Sequence, residues 1–201
     1  MKRFIALSVL LSFALYLSLS ASDAEINRSA PGFTLVDSNG DEHSLSDFEG
    51  KIIVLEWINF GCPFVQKHYK SGNMQNLQNK YTGKGIIWLL ICSSAPGKQG
   101  NLTNEEINAE LDELNTAQTA YLIDESGEVG QAYGAKTTPH MYIIDEEGIL
   151  VYAGGIDDIK STDVEDIEKA VNYVAEGLDY LLDDMPVQTQ VSAPYGCSVK
   201  Y

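Results

Sequence analysis

One segment, residues 52–69, restricts what this chain can fold into more than any other. It begins with an apolar run at residues 52–58, rich in β-branched side chains, which is typical of a strand buried on both faces of a sheet. A short turn separates this run from Cys62 and Pro63. Proline is favourable at the first position of a helix, because the N–H group that it lacks would be unpaired there. The segment therefore predicts a strand, a tight turn and a helix over residues 63–81, with Cys62 at the helix N-cap.

This position makes Cys62 a candidate redox thiol. Free backbone N–H groups and the positive end of the helix dipole favour a thiolate over a thiol. They can lower a cysteine pKa from about 8.5 into roughly the 3.5–7.5 range. The alternative is that Cys62 is a small, buried, apolar residue without chemistry.

The amino-terminal residues predict export. Two basic residues precede an apolar run at residues 4–19 and a cluster of small residues, which is the pattern of a secretory signal peptide. We expect residues 1–21 to be removed, which leaves residues 22–201 as one domain with residues 186–201 as a C-terminal tail. The predicted location is secreted or periplasmic, without membrane association after cleavage. The alternative is an uncleaved N-terminal anchor.

Composition argues against several partners and cofactors. Asp and Glu number 29 against 13 Lys and Arg, and the formal net charge of −16 repels nucleic acid and anionic membranes. The sequence has no nucleotide-binding loop, no Cys-x-x-Cys and no paired Cys/His spacing, so we predict neither an organic cofactor nor a metal site. The three cysteines, Cys62, Cys92 and Cys197, are an odd number, so at least one thiol is free or pairs with another molecule.

The hydrophobic pattern predicts an α/β fold. Strands are expected at residues 33–36, 52–58, 86–92, 120–123, 141–145 and 149–153, and helices at 63–81, from 103, at 127–133 and from 162. Asn39-Gly40 is a hairpin signal, and Thr103 with Glu106 forms a capping-box pattern. Apolar residues from 164 to 181 recur at helical spacing, which predicts one long final helix. The order gives a mixed central sheet flanked by helices on both faces.

This order, with Cys62 after the first buried strand, resembles the thioredoxin fold. Thr138 and Pro139 stand just before a hairpin strand, as the cis-proline loop of that fold does. The resemblance implies that Pro139 is cis and that Thr138 faces the thiol. Residues 150–158 and 196–200 are similar to the peroxiredoxin-like branch, that is, the redoxin and alkyl hydroperoxide reductase–thiol-specific antioxidant relatives.

Two departures from these families bear on activity. Thioredoxins carry a second cysteine three residues after the first, where this chain has Val65. Typical peroxiredoxins have Thr or Ser three residues before the reactive cysteine and Pro four residues earlier, where this chain has Asn59 and Leu55. The hydroxyl that would orient a peroxide is therefore absent.

The other two cysteines are candidates for a resolving thiol that attacks an oxidised Cys62. Cys197 lies in the tail, which could fold back over the site. Cys92 ends the second buried strand, at the sheet edge where the turn of Cys62 is expected. We rank Cys197 first because tails move more readily than strand ends. For each, the alternative is a cysteine without a chemical role.

Four residues are candidates for substrate positioning. The resemblance assigns this role to Thr138 and Pro139. Asn59 could donate a hydrogen bond in place of the missing hydroxyl, and Trp57 is expected, with Phe60, to form an apolar wall of the site.

Two histidines lie near these residues in the sequence. His68, six residues after Cys62, is interpreted as a surface or packing residue on another helix face. His140 follows Pro139, where it could tune the thiolate or serve a structural role.

The resemblance implies a thiol-dependent oxidoreductase with antioxidant (peroxiredoxin-like) or thiol–disulfide exchange activity and Cys62 as the nucleophilic thiolate, and the amino-terminal pattern predicts its export. Its substrate would be a peroxide or a protein disulfide, and an external thiol would reduce it. The alternative is a redox-inactive thioredoxin-fold binding module whose cis-proline loop presents an extended edge to a peptide. A metal site built on Cys62 and His140 is disfavoured, because no further ligand is evident.

Overall fold

The computed structural model describes residues 23–201, and the predicted signal peptide lies outside this range. The strands are β1 (Thr34–Asp37), β2 (Glu42–Ser44), β3 (Ile53–Trp57), β4 (Ile87–Cys92), β5 (Ala120–Ile123), β6 (Thr137–Thr138), β7 (His140–Ile144), β8 (Leu150–Gly154) and β9 (Cys197–Ser198). The α-helices are α1 (Pro63–Lys70), α2 (Asn73–Thr82), α3 (Asn104–Glu113), α4 (Glu128–Ala132) and α5 (Tyr173–Leu182). Short 3₁₀ helices span Leu45–Phe48 and Val164–Lys169.

Seven strands form one sheet in the order β2-β1-β5-β4-β3-β7-β8, with β3, β4 and β5 parallel to one another. Every residue of β3 is buried, because apolar clusters cover both faces of the sheet. Residues of α1, α2, α3 and α5 contribute to the first cluster, and Val129 of α4 packs against the second. The predicted fold class, a mixed sheet with helices on both faces, is confirmed.

The helix that follows Cys62 is shorter than its sequence pattern predicts. Gly72 adopts a left-handed conformation, with φ of 76°, and divides the predicted helix into α1 and α2. The hydroxyl of Ser71 donates to the carbonyl oxygen of His68 at 3.1 Å and accepts from the N–H of Asn73 at 3.3 Å. These local bonds replace the helical ones at the break.

The prediction of one long helix from residue 162 is wrong. A 3₁₀ helix capped by Asp163 comes first, and α5 begins separately with Asn172 as its cap. The two caps each accept a backbone N–H bond at 2.9 Å, and Ala170 between them is extended. Val164 and Val171, which the periodicity placed on the buried stripe, are therefore 47% and 51% exposed.

The tail runs back across the domain in an extended conformation. The N–H of Ala153 at the sheet edge donates to the carbonyl oxygen of Gln190 at 3.0 Å. Further along, β9 pairs antiparallel with β6, which aligns Cys197 with Thr138. Across residues 23–201, no helix is long and apolar enough to cross a membrane.

Candidate active site

Cys62 caps α1, as the sequence predicted. Its backbone is extended, with φ of −85° and ψ of 123°, and Pro63 occupies the first helical position. The carbonyl oxygen of Cys62 accepts the first helical bond, from the N–H of Gln66 at 2.9 Å. The Cys62 thiol makes no cap hydrogen bond of standard geometry, but the backbone N–H of Val65, one of the free donors of the helix terminus, lowers its pKa.

Thr138 faces the same sulfur from the loop before β7. The Thr138–Pro139 peptide bond is cis, and the thiol of Cys62 donates to the carbonyl oxygen of Thr138 at 3.0 Å. The Thr138 hydroxyl oxygen is buried and has no hydrogen-bond partner of standard geometry within the described chain, and it lies beside the sulfur. This hydroxyl can donate to Cys62 once the thiol has lost its proton.

The tail brings Cys197 to the same place. In the register of β6 and β9, Cys197 stands opposite Thr138, whose carbonyl oxygen accepts from the Cys62 thiol. The thiol and the backbone N–H of Cys197 lie close enough to the Cys62 sulfur to lower its pKa. Neither cysteine is in a disulfide, so the structure contains the pair in its dithiol form. Cys62 is fully buried, whereas Cys197 is partly exposed.

The environment places the thiolate on Cys62 rather than on Cys197. Burial by itself would raise the pKa of Cys62, but donors from Cys197, Thr138 and Val65 outweigh it, and the pKa is lowered. Burial and the bond to Cys62 raise the pKa of Cys197 to about 11. In the singly ionised pair, the remaining proton therefore stays on Cys197 and stabilises the Cys62 thiolate.

Glycine is required next to Cys197. Gly196 has φ of 142°, and a Cβ atom on it would overlap the carbonyl oxygen of Thr138. This close approach lets β9 lie against the cis-proline loop.

The end of the tail is docked by hydrogen bonds, although we ranked Cys197 first on the expectation that the tail moves. The N–H of Val199 donates to Lys136 at 3.1 Å, and the carbonyl oxygen of Lys200 accepts from Ala95 at 2.9 Å. The hydroxyl of Tyr201 donates to the carbonyl oxygen of Ala135 at 2.8 Å. Cys197 therefore reaches Cys62 as part of a docked strand.

Cys92 has a different environment from the other two cysteines. Its sulfur lies 3.4 Å from the hydroxyl of Ser94 and 3.5 Å from the carbonyl oxygen of Gly100, and burial raises its pKa. Tyr121 is its third neighbour. These contacts hold Cys92 as a packed strand-end residue.

The side chain of Asn59 joins the turn before Cys62 to the loop that follows β4. Its amide nitrogen donates to the carbonyl oxygen of Gln99 at 2.8 Å, and its amide oxygen accepts from the N–H of Gly61 at 3.0 Å. Both ends of the Asn59 amide are therefore engaged, one within the turn and one with the loop.

Trp57 does not form a wall of the thiol site, which corrects our expectation. Alternate residues of a strand point to opposite faces, and Trp57 belongs to the second apolar cluster, whereas Cys62 belongs to the first. Its indole N–H donates to Ser93 at 2.9 Å. Phe60 does lie in the cluster of Cys62, stacked on Tyr121.

Both histidines are packed inside the domain. His140 bonds the hydroxyl of Tyr142 at 3.0 Å, and burial lowers its pKa to about 4. His68 bonds Asn73 at 2.9 Å, and burial lowers its pKa to about 3. Within residues 23–201 no group of three or more His, Cys, Asp or Glu side chains could hold a metal ion.

Sequence reasoning missed Glu56, which is fully buried inside β3. Its carboxyl group accepts from the indole of Trp88 at 2.8 Å and from the hydroxyl of Tyr69 at 2.9 Å. Burial raises its pKa to about 7. The available signal was an acidic residue inside an otherwise apolar strand.

Sequence reasoning also missed Lys67, Asp157 and Tyr195, which form a buried polar group beneath the tail. Tyr195 donates to Asp157, and Lys67 lies 3.9 Å from the same carboxylate. No spacing in the sequence connects these residues, because they come from α1, from the segment after β8 and from the tail.

A sheet of this order, a cysteine capping the helix after its central strand and a cis X–Pro loop beside that cysteine define a thioredoxin-like protein. The model of the AhpC/TSA family matches residues 26–153, and the chain belongs to this family. The resemblance to the thioredoxin superfamily and its redoxin branch is thereby confirmed.

Individual relatives agree with this assignment. Thiol-disulfide oxidoreductase ResA of Bacillus cereus is 26% identical over 157 residues, which cover 72% of this chain and 79% of that protein. The crystal structure of an uncharacterized conserved protein from Geobacillus kaustophilus has a TM-score of 0.75 and 29% identity, over 88% of this chain and 92% of that one. The fold is also supported by the thioredoxin domain of a thiol-disulfide oxidoreductase from Bacteroides vulgatus. That structure has 21% identity and a TM-score of 0.52, and the match covers 73% of this chain and 98% of that chain. The prediction of an oxidoreductase is in line with the name of the Bacillus relative.

Proposed function

We propose that this protein is a thiol–disulfide oxidoreductase whose reactive pair is Cys62 and Cys197. The observation that carries the proposal is the pairing of β6 with β9, which sets Cys197 opposite Thr138, the residue whose carbonyl oxygen accepts from the Cys62 thiol at 3.0 Å. Cys62 is the nucleophile because its pKa is lowered, and Cys197 is the resolving thiol.

The reaction begins when the Cys62 thiolate attacks one sulfur of a partner's disulfide. A mixed disulfide forms on Cys62, and the other partner sulfur leaves as a thiolate that takes up a proton. Cys197 then loses its proton and attacks the Cys62 sulfur, which forms the Cys62–Cys197 disulfide and releases the second partner thiolate. The partner gains two electrons, and an external thiol returns the pair to its dithiol form.

Access to Cys62 requires movement of the tail. Cys62 is fully buried in the dithiol form, under the strand that carries Cys197. A partner sulfur can reach Cys62 only when β9 shifts away from β6. The same strand must return for the resolving step, so exchange and tail movement are coupled.

A disulfide substrate suits this site better than a peroxide. The position that would supply an orienting hydroxyl is Asn59, and both ends of its amide are engaged, one with Gly61 in the turn and the other with Gln99 in the loop after β4. The relative named thiol-disulfide oxidoreductase supports the same choice.

The test is the product formed by the reduced protein with one equivalent of oxidised glutathione, followed by intact mass and peptide mapping. We expect loss of two hydrogens and a Cys62–Cys197 peptide. Cys197→Ser should stop at a glutathione adduct on Cys62, and Cys62→Ser should not reduce insulin disulfides. Full insulin reduction by Cys62→Ser would refute the proposal. A parallel reaction with hydrogen peroxide determines whether the same disulfide forms faster from a peroxide.

We also propose that the protein is exported. The support is the amino-terminal pattern of two basic residues, an apolar run and small residues. Expression of the full chain and amino-terminal sequencing of the product should show cleavage near residue 21. A product that keeps Met1 and stays in the cytoplasm would contradict export.

A further inference from the structure

We propose that Tyr195 and Asp157 are positioning residues for the dithiol pair: the bond between them holds the tail in the register at which Cys197 faces Cys62. The inference rests on the proposed function, because it concerns how that pair is brought together.

Tyr195 joins the tail to the helix that Cys62 caps. It stands two residues before Cys197 and is 6% exposed. Its ring packs edge-on against Phe64 in the first turn of α1, with ring centroids 5.8 Å apart and an interplanar angle of 67°. Because Phe64 stands two residues after Cys62, this contact ties together the two segments that carry the thiols.

The hydroxyl of Tyr195 has a buried carboxyl group as its acceptor below the tail. It donates to the carboxylate of Asp157, and burial raises the pKa of Tyr195 so that the hydroxyl keeps its proton. A buried hydroxyl is unfavourable without a partner, so this bond favours the docked position of the tail. A slip of one residue would turn the Tyr195 side chain to the opposite face of the extended tail.

Asp157 is itself held by α1. Lys67 and His68 each bring a side-chain nitrogen to 3.9 Å from its carboxylate. The N–H of Ile159 donates to it at 3.1 Å. Since burial lowers the pKa of His68 to about 3, the charge that faces Asp157 is that of Lys67. The acceptor of the tail is thus fixed to the helix of Cys62.

The bond between Tyr195 and Asp157 is the anchor of the tail. It matters because Gly196 supplies no side-chain contact of its own between Tyr195 and Cys197. With the tail docked before oxidation, Cys197 has a high effective concentration at Cys62, and less ordering is needed when the disulfide closes. A weaker anchor should therefore make the disulfide less favourable and remove donors from the Cys62 thiolate.

The experiment compares Tyr195→Phe and Tyr195→Ala with the wild-type protein, in glutathione redox buffers at fixed pH. The equilibrium constant for forming the Cys62–Cys197 disulfide should fall about tenfold in Tyr195→Phe, which raises the reduction potential by about 30 mV. In Tyr195→Ala this equilibrium constant should fall further, and the pKa of Cys62 should rise in both variants. Tyr81→Phe is the matched control: it removes a hydroxyl that donates to Asp179 at 3.0 Å and has its other partners in Ala175 and Lys80, outside the tail.

The outcomes separate this inference from the proposed function. If the wild-type disulfide forms and both Tyr195 variants, folded by circular dichroism, keep its potential and the Cys62 pKa, the anchor has no positioning role. An equal change in Tyr81→Phe would also overturn the inference, because the effect would then follow stability alone. Failure of the wild-type protein to form the disulfide would overturn the proposed function and this inference with it.

Discussion

Replacing Glu56 with Gln should change how stability depends on pH. Glu56 is fully buried in β3, where burial raises the pKa of its carboxyl group from 4.5 to about 7. Gln has nearly the same shape, and its amide oxygen can still accept from the indole of Trp88. The substitution therefore removes the titration and keeps most of the packing.

The direction of the pH dependence of stability follows from proton binding to Glu56. Between pH 4.5 and about 7 the folded protein holds a proton on Glu56 that the unfolded chain has released, so this group makes stability fall as pH rises through that interval. Below the interval both states are protonated, and the contribution is fully present. Because one pKa unit corresponds to about 1.4 kcal/mol, the loss across the interval is about 3 kcal/mol.

The assay is urea unfolding of the reduced wild-type protein and of Glu56→Gln at several pH values from about 4 to about 8. The difference in unfolding free energy between them should move by about 3 kcal/mol in favour of Glu56→Gln as pH rises. Glu105→Gln, an exposed position in the first turn of α3, is the control for a carboxylate at the surface. A difference between wild type and Glu56→Gln that stays constant with pH would refute the argument that burial raises this pKa.

Three further substitutions test the site. Gly196→Ala should displace β9, because the added Cβ overlaps Thr138 and the backbone conformation is strained by about 2 kcal/mol for residues other than glycine. The Cys62 pKa, measured by thiolate absorbance, should then rise. An unchanged pKa would contradict the close approach. Thr138→Val keeps the shape of the side chain and removes its hydroxyl. The Cys62 pKa should rise by about one unit, which corresponds to the loss of about one hydrogen bond. No rise would mean that the hydroxyl does not stabilise the thiolate. Cys92→Ser should form the Cys62–Cys197 disulfide at the wild-type rate in a stopped-flow oxidation, whereas loss of that disulfide would give Cys92 a role.

The parts of this protein that the sequence predicted are those that neighbouring residues determine. Cys62 at an N-cap follows from the Cys-Pro step after an apolar strand, and the capping box at Thr103 follows from Glu106 three residues later. The break at Gly72 was missed because the apolar pattern continues through it. The final helix was overextended because two local caps, Asp163 and Asn172, outweighed a continuous apolar stripe.

The parts that could not be predicted depend on contacts distant in the chain. β6 and β9 have two residues each, too few for a periodicity, and their pairing depends on the path of the tail. The face on which Trp57 lies depends on the register of β3 with its neighbours. The pKa of Glu56 depends on what covers the sheet, so the sequence alone showed only its unusual position.

The large separation of Cys62 from Cys197 along the chain links oxidation of this pair to the stability of the domain. A disulfide between them would close a loop that contains most of the described domain, from the first turn of α1 to β9. In the chain-entropy model, a cross-link over a loop of that size lowers the conformational entropy of the unfolded chain and so raises its free energy by about 5 kcal/mol. The oxidised protein would then resist unfolding more strongly than the dithiol form. Each reduction by an external thiol would therefore also return the domain to its less stable form.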